Sequence, residues 1–297
     1  MNSILKYLIN VLGRYVFFGE KIKKSQFKKM VQQVMIEISS ACNRKCIYCP
    51  HSLALRKSNK MDNILFEKIL YELKSISYKN NICLNIYNEP LFFYDDLIGK
   101  ISKIRTILPK VTIFFSTNGD LLTHERLDEL EKIGLDKIII TQHPKNAFEW
   151  KTKQVKQDIQ NIAEKLKIQC GEWQIAPNCG VHFFAMMGNM SIEIFSLNFL
   201  QVGNDRGGVL STVEIPDDFQ RASPCQRVLH DFTISFDGSV YPCCQFFHGL
   251  PQTQRYYVGN VAQNSIFDIF FNQKMCAFRK MASSSIPKGS PCSTCRE

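Results

Sequence analysis

The chain has 297 residues, of which 45% are hydrophobic and 22% charged, with only 15 Gly and 11 Pro. This composition excludes disordered, collagen-like and low-complexity polypeptides, and the length suffices for one large domain with a smaller one attached. The formal net charge is +10, but residues 1–34 hold seven Lys/Arg against one acid, Glu20, so a globally basic nucleic-acid-binding surface is not predicted.

The first segment, residues 1–32, is predicted to be a basic amphipathic helical arm. Within residues 3–18, polar positions recur at helical spacing among apolar ones. Such a helix packs on the main domain or lies on an anionic membrane surface, and both roles stay open. No segment approaches the ~20 apolar residues that cross a bilayer, and no secretion signal is recognisable. A cytoplasmic protein is expected, with peripheral membrane contact through this helix as an option.

Residues 33–210 alternate β-rich and amphipathic stretches, as parallel α/β folds do. The predicted strands cover 34–39, 82–87, 111–116, 137–141 and 181–187, and the predicted helices cover 63–77, 96–108, 125–133 and 153–166. Beyond residue 168 the pattern does not place the remaining units of a barrel. Functional groups of such folds gather at the carboxyl ends of the strands, so we expect a pocket where Cys42, Asn88, Thr117 and Gln142 follow successive strands.

Residues 211–297 are predicted to be a small α+β module. Short strands over 232–236 and 240–242 flank the turn Asp237-Gly238, and an amphipathic stretch follows over 265–281. The hairpin and the helix together identify a separate unit after the larger α/β region.

Three thiols follow the first predicted strand in the spacing C-x3-C-x2-C: Cys42, Cys46 and Cys49. An iron–sulfur cube held by three thiolates leaves one iron open to a small ligand. A tetrahedral zinc site needs a fourth ligand, which His51 could supply, so zinc stays an alternative. Twelve cysteines in a chain without a secretion signal favour metal or redox chemistry over disulfides.

This motif resembles the C-x3-C-x-aromatic-C signature of radical S-adenosylmethionine (radical SAM) enzymes. The resemblance implies a partial (β/α)6 TIM-like barrel, a 4Fe–4S cluster on the three cysteines, and S-adenosylmethionine as a second cofactor. Asn88-Glu89-Pro90 stands where the family has a GGE-type motif, although the glycines are absent, and Ser116-Thr117-Asn118-Gly119 resembles the segment near the ribose and carboxylate of the cofactor. The implied cofactor-binding residues are Tyr48, Asn88, Glu89, Ser116, Thr117 and Asn118.

A second set of cysteines lies in the carboxy-terminal module: Cys225, Cys243, Cys292 and Cys295. With Gly238-x4-Cys243, this set resembles the twitch form of the SPASM auxiliary-cluster domain, which implies a second 4Fe–4S cluster held by four thiolates. A structural zinc site is the alternative, and Cys244 or Cys276 could replace one of the four ligands. The remaining cysteines, Cys83, Cys170 and Cys179, are predicted to be small core residues.

The family resemblance implies a reaction in which S-adenosylmethionine yields a 5′-deoxyadenosyl radical that abstracts hydrogen from the substrate. Transfer of an electron to the auxiliary cluster then makes the reaction a dehydrogenation, which also needs a base. The candidates for this catalytic role are Arg206, His143 and His182. Epimerisation is the other outcome, and it would use a leftover cysteine as the hydrogen-atom donor.

A small carbohydrate-like substrate, such as an aminocyclitol, is what the twitch resemblance implies. About 33 residues precede the first predicted strand, too few for a leader-peptide-binding module, which also favours a small molecule. Basic residues near the first cysteines could hold a phosphate or a nucleotide: Arg44, Lys45, Arg56, Lys57 and Lys60. A flavodoxin- or ferredoxin-type electron donor is implied as partner. A radical peptide-modifying enzyme and a zinc-stabilised binding protein are the alternatives.

Overall fold

The structure is a computed structural model that describes residues 19–53, 56–144 and 147–296. The predicted helix over residues 3–18 lies outside the described residues. The strands are β1 (Gln33–Ile36), β2 (Asn81–Cys83), β3 (Thr112–Thr117), β4 (Lys137–Thr141), β5 (Glu172–Ala176), β6 (Gly180–Met187), β7 (Met190–Leu197), β8 (Asp231–Ile234), β9 (Ser239–Tyr241) and β10 (Gly259–Asn260). The α-helices are α1 (Glu20–Met30), α2 (Asn63–Ser75), α3 (Tyr94–Ile107), α4 (His124–Lys132), α5 (Thr152–Lys165), α6 (Phe199–Val202), α7 (Arg227–His230), α8 (Pro251–Gln254), α9 (Ile266–Phe270) and α10 (Gln273–Ala282). Three short 3-10 helices cover Pro50–Ser52, Pro90–Phe93 and Ala147–Glu149.

The ten strands of the described residues join one sheet in the order β10-β9-β8-β1-β2-β3-β4-β7-β6-β5. The six central neighbours, from β8 to β7, pair in parallel. Both ends are antiparallel, with β5-β6-β7 on one side and β8-β9-β10 on the other. The predicted α/β class with a central parallel sheet is confirmed. The antiparallel strands at both ends of the sheet depart from a regular succession of βα units.

The regular alternation of strand and helix ends after α5, where the sequence pattern also became uninformative. After α5, strands β5 and β6 form an antiparallel hairpin. The strand that pairs in parallel with β4 is β7. The turns joining these strands are too short for a parallel crossover, which needs a dozen or more residues. One of them uses Gly188 at φ +54°, in the left-handed region that glycine adopts readily.

The carboxy-terminal segment extends the same sheet through β8, which lies beside β1. The register pairs Gln33 with Asp231 and Ile36 with Ile234. Phe27 of α1 packs edge-on against aromatic rings of β8 and α9, with centroid distances of 5.1–5.5 Å. These contacts hold β8, which lies between Cys225 and Cys243 in the chain, beside the strand that precedes the first set of cysteines.

The stretch predicted as one helix over 265–281 forms two helices, α9 and α10. Ser265 caps α9 by accepting a hydrogen bond from the amide of Asp268 at 3.0 Å. Asn272 starts α10 in the same way, with its Oδ1 2.8 Å from the amide of Met275. The cap residue inside the amphipathic stretch therefore interrupts the helix. No helix in the described ranges is long and apolar enough to cross a membrane.

Candidate functional site

The loops after the central parallel strands open onto a cavity of about 530 Å³. Its lining from these loops includes Cys42, Cys46, Tyr48, Cys49, Asn88, Glu89, Ser116, Thr117, Asn118 and His143. The carboxy-terminal half contributes Arg206, Arg227, Cys244 and Gln245. Because parallel strands end at a common edge, residues that are far apart in sequence meet here.

Three partly buried thiols, those of Cys42, Cys46 and Cys49, line the cavity. The loop turns tightly, with the amide of Cys49 donating to the carbonyl of Cys46 at 2.9 Å. Burial raises the pKa of Cys42 to about 11, and the nearby charges of Glu89 and of the other two thiols act in the same direction. Three converging thiols facing an open cavity are a donor set that fits a cube with one open iron.

Two ion pairs hold this loop. Arg44 donates from Nε to Oδ2 of Asp120 at 2.7 Å, which ties the loop to the segment after β3. Arg56 makes a two-pronged pair with Glu37 at 2.8 and 2.9 Å, and the side chains are only 5% and 1% exposed. Arg44 and Arg56, predicted as phosphate-binding candidates, are therefore engaged by carboxylates, because each faces an acid from a neighbouring strand end.

Glu89 connects three of the loops around the cavity. Its carboxylate accepts from the hydroxyl of Thr117 at 2.7 Å and from the amide of Asn118 at 2.8 Å. Its own amide donates to the carbonyl of Ala41 at 2.8 Å, beside the cysteine loop. Burial raises the pKa of Glu89, and the hydrogen bonds from Asn118, Thr117 and Leu91 oppose that rise. The side chain fixes the relative positions of loops that carry most of the predicted cofactor-binding residues.

Tyr48 and His143 form an aromatic wall with Phe199 of α6. The Tyr48 ring stacks on Phe199 at a centroid distance of 4.6 Å, and its hydroxyl lies 2.7 Å from Nδ1 of His143. Burial lowers the pKa of His143 to about 4, and the positive charge of Arg44 adds to that effect, so the imidazole is neutral near pH 7. Sequence reasoning did not identify Phe199, because a single apolar residue beyond the legible α/β pattern gives no signal.

Tyr87 and Arg206 also line the cavity. Tyr87 is 8% exposed, and its hydroxyl oxygen is buried with no hydrogen-bond partner among the described residues. The Arg206 guanidinium lies 5.7 Å from the Tyr87 ring centroid and donates to Oε1 of Gln245 at 2.8 Å. Of these three side chains, sequence reasoning proposed only Arg206 for a role in the reaction.

Two residues predicted at the site lie outside the cavity lining. His182 sits on β6, where its Nδ1 is 3.1 Å from Oε1 of Glu193 and its ring stacks with Phe195. The reason is topological, since β6 belongs to the antiparallel hairpin at the edge of the sheet. Gln142 does follow β4 as predicted, but its amide nitrogen donates to Asp158 of α5 in an adjacent groove.

The second set of cysteines lines a smaller, more enclosed cavity, which shares Arg227 and Gln245 with the lining of the larger one: Cys225, Cys243, Cys292 and Cys295. Burial raises the pKa of Cys292 to about 12, and the Cys295 and Cys225 thiols add to the rise. Burial also raises the pKa of Cys243, and the neighbouring Cys244, Cys292 and Cys295 thiols act in the same direction. Four thiols around one small space are a donor set that fits a fully ligated cube.

Neither set of cysteines is arranged to bind a single metal ion. Among the described residues, no three His, Cys, Asp or Glu side chains are gathered closely enough to hold one metal ion. A mononuclear zinc site requires that close arrangement, whereas the corners of a cube keep the ligands of different irons further apart.

Cys244 and Cys276, the alternative ligands that the spacing left open, are not among the residues that line the smaller cavity. Cys244 points to the larger cavity, with its sulfur 3.9 Å from Nη1 of Arg227. Cys276 lies on α10, 3.3 Å from Nη2 of Arg279. Although Cys243 and Cys244 are adjacent in the chain, Cys243 lines the smaller cavity and Cys244 lines the larger one.

The structure corrects the prediction that all three leftover cysteines are core residues. Cys83 is buried at the end of β2 and lines the larger cavity. Cys170 and Cys179 are exposed. They flank β5, the edge strand of the sheet, in which four of the five residues are exposed.

Comparisons with known proteins give two family matches. Residues 36–168 match the Radical SAM superfamily, and residues 225–296 match the SPASM iron-sulfur cluster-binding domain. The chain is 27% identical over 256 residues to the S-adenosyl-L-methionine-dependent 2-deoxy-scyllo-inosamine dehydrogenase of Niallia circulans, covering 85% of this chain and 87% of the relative. It is 31% identical over 108 residues to the tungsten-containing aldehyde ferredoxin oxidoreductase cofactor-modifying protein of Pyrococcus furiosus, over 36% of this chain and 29% of that protein.

Solved structures share the fold. The structure of BtrN in complex with AdoMet and 2-DOIA aligns with a TM-score of 0.64 at 25% identity, over 86% of this chain and 88% of that one. An open conformation of BtrN aligns with a TM-score of 0.59 at 22% identity, over 90% and 93% of the two chains. The predicted resemblance and fold class are therefore confirmed, and the matches give no support to the zinc alternative.

Proposed function

Because the chain belongs to the radical SAM superfamily and carries a SPASM-type iron–sulfur domain, we propose that it oxidises a carbinol of a small carbohydrate-like molecule to a carbonyl. The observation that carries this proposal is the cavity itself, which has the three-thiol loop on one wall and Cys244, neighbour of Cys243, on another. Its volume of about 530 Å³ suits a small molecule. The similarity to 2-deoxy-scyllo-inosamine dehydrogenase supports an aminocyclitol-like substrate.

The family binds 4Fe–4S clusters and S-adenosylmethionine, and the two sets of converging thiols fit two clusters. We assign the first cluster to Cys42, Cys46 and Cys49, and the auxiliary cluster to Cys225, Cys243, Cys292 and Cys295. When bound, these cofactors supply a carbon radical that removes a hydrogen atom from the substrate and an acceptor for one further electron. The residues proposed around S-adenosylmethionine are Tyr48, Asn88, Glu89, Ser116, Thr117 and Asn118.

Tyr87, Arg206 and Gln245 are proposed to bind the substrate. The buried Tyr87 hydroxyl lacks a hydrogen-bond partner among the described residues, and burial of such a group is costly unless a ligand supplies one. Arg206 carries a planar donor group that suits hydroxyl or anionic oxygens. A polyhydroxylated ring offers several groups that can pair with these side chains.

His143 is the better proposed acceptor for the proton that leaves the substrate hydroxyl. The imidazole lines the cavity and is neutral near pH 7, because its pKa is lowered to about 4 by burial. Arg206 also lines the cavity, but a guanidinium stays protonated and cannot take up a proton. His182, the third candidate, lies on β6 beside Glu193 and is not proposed.

The test uses full-length protein reconstituted without oxygen, with dithionite, S-adenosylmethionine and 2-deoxy-scyllo-inosamine deuterated at the carbinol carbon. We expect about eight iron atoms per chain, deuterium in the 5′-deoxyadenosine, and one carbonyl product for each 5′-deoxyadenosine. Tyr87→Phe should raise KM while uncoupled cofactor cleavage persists. Cofactor cleavage without deuterium transfer from any of a panel of cyclitols would contradict the substrate class.

Epimerisation is a second candidate, favoured by the cavity position of Cys83. Burial raises the pKa of this thiol to about 12, so it keeps the hydrogen that a donor would need. Epimerisation in D2O would place solvent deuterium on the substrate carbon and give no carbonyl. Cys83→Ala would then abolish product formation, whereas it should leave a dehydrogenation largely intact.

A flavodoxin- or ferredoxin-type protein is the proposed source of the first electron. Lys45 and Lys57 are exposed beside the three-thiol loop and offer positive charge to an acidic donor. Reduced donor replacing dithionite should support turnover that weakens with rising salt. Peripheral membrane contact of the amino-terminal arm stays a prediction, and flotation with anionic liposomes would test it.

A further inference from the structure

Arg221 is a buried cation next to the enclosed cysteines. It is 6% exposed, and its guanidinium lines their cavity. It donates to the carbonyls of Ser223 at 3.0 Å and Pro224 at 3.2 Å, and Nη1 lies 3.6 Å from the sulfur of Cys295. No carboxylate of the described residues lies within ion-pair distance of Arg221.

Lys288 is a second buried cation beside the same cysteines. It is 2% exposed, and its Nζ donates to the carbonyls of Ile286 at 3.0 Å and Ala222 at 3.4 Å and to the hydroxyl of Ser284 at 3.0 Å. Its backbone amide donates to the carbonyl of Arg221 at 2.8 Å, and the positive charges of both residues act to lower the pKa of Cys292. In the described part of the chain, Lys288 has no acidic partner either.

Two other buried cations have a carboxylate partner, whereas a third, Arg279, contacts the sulfur of Cys276 and the ring of Phe270. Arg56 pairs with Glu37, and buried Lys100 pairs with Asp96 at 2.8 Å. Buried charges are normally compensated, since taking an isolated charge out of water is costly. The compensating negative charge for Arg221 and Lys288 is therefore expected in the space that the four cysteines surround.

Two other charged side chains face that space. Arg227 lines it but is paired with Asp231, whose Oδ2 is 3.4 Å from Nη1. Asp205 also lines it as a buried carboxylate, so it opposes the two cations. The lining therefore holds Arg221 and Asp205, and Lys288 adds a second cation without an acidic partner among the described residues, just outside the lining.

We propose that Arg221 and Lys288 raise the reduction potential of the auxiliary cluster and so make it the electron acceptor of the oxidation. The inference rests on the proposed function, in which the four cysteines hold that cluster. Its reduced form carries one more negative charge than its oxidised form, so nearby positive charge stabilises the reduced form more. The electron comes from the substrate radical, whose hydroxyl proton goes to the base as the carbonyl forms.

The decisive measurement is an EPR-monitored redox titration of the full-length holoenzyme, with Cys46→Ala protein assigning the auxiliary signal. At the wild-type midpoint, Arg221→Gln and Lys288→Met should each lower the ratio of reduced to oxidised cluster roughly three- to tenfold. Arg221→Lys, which keeps the charge, should restore most of the ratio. Lys280→Met, an exposed charge on α10, should leave it unchanged.

Asp205→Asn supplies a test of sign, because it removes negative charge from the same wall and should raise the ratio. If Asp205→Asn instead lowered the ratio of reduced to oxidised cluster, as Arg221→Gln does, the inference would be overturned. The potential would then respond to any structural change near the cysteines and not to charge. Unchanged potentials in both cation variants, with full iron content, would overturn it and leave the proposed function intact. Absence of a second cluster in wild-type protein would overturn both.

Discussion

The two cysteine sites differ in how the chain surrounds them. The three-thiol loop faces a cavity of about 530 Å³ and is held from outside by ion pairs, Arg44 with Asp120 and Arg56 with Glu37. The four-thiol site is enclosed and has uncompensated cations, Arg221 and Lys288, beside its sulfurs. An open site with fixed loops suits ligand binding and chemistry. An enclosed, positively charged site suits storage of an electron.

The largest effect is expected when one thiol of the open site is removed. Cys46→Ala should reduce 5′-deoxyadenosine formation to background and leave about four iron atoms per chain, because three thiolates are the minimum that holds the first cluster. Quantification of 5′-deoxyadenosine and iron checks this. Cys179→Ala, at an exposed cysteine, is the control and should behave like wild type. Normal cleavage by Cys46→Ala protein would contradict the proposed ligand.

Removing a thiol of the enclosed site should have a narrower effect. Cys243→Ala should retain cofactor cleavage but lose carbonyl formation, because the electron left on the substrate has no acceptor. The measurement is the ratio of carbonyl to 5′-deoxyadenosine. Cys276→Ala, in the same module but beside Arg279, is the matched control. An unchanged product yield in Cys243→Ala would refute the acceptor role.

The buried ion pair behind the open site should matter for folding. Arg56→Met leaves the Glu37 carboxylate buried without its partner, and such a loss costs about 3–5 kcal/mol. Urea unfolding of cofactor-free protein measures it. Arg56→Met with Glu37→Leu should recover part of the loss, since no charge is then left unpaired. Lys57→Met, at an exposed neighbour, should change the free energy of unfolding by less than about 0.5 kcal/mol.

The smallest effect is expected at the more exposed pair. Asp120→Asn should lower stability by at most about 1 kcal/mol at pH 7. The hydrogen bond from Arg44 is the main reason that the pKa of Asp120 is lowered. A lowered pKa means that the contribution is present above the ordinary carboxyl pKa of about 3.9 and is lost as pH falls through the lowered value. Urea unfolding at pH 7 and pH 3 should show the difference between variant and wild type shrink; a constant difference would contradict it.

Much of the fold followed from local pattern. The strands and helices between residues 33 and 166 were predicted within a few residues, because each is a short run with one dominant periodicity. The hairpin of β5 and β6 and the placement of β8 beside β1 were not predicted, since strand pairing depends on contacts between distant segments. The boundary between the two predicted domains stays a prediction.

The sequence by itself determined the kind of chemistry, because the spacing of Cys42, Cys46 and Cys49 within one loop is a local property of the chain. Only the tertiary structure decided which remaining residues share the cavities. Tyr87 and Phe199 meet the first site, and Arg221 and Lys288 meet the second, through elements far apart in sequence. It also separated Cys243 from Cys244, which are adjacent in the chain. The physical reason is that burial and electrostatic contact depend on distance in space, and chain order does not specify that distance.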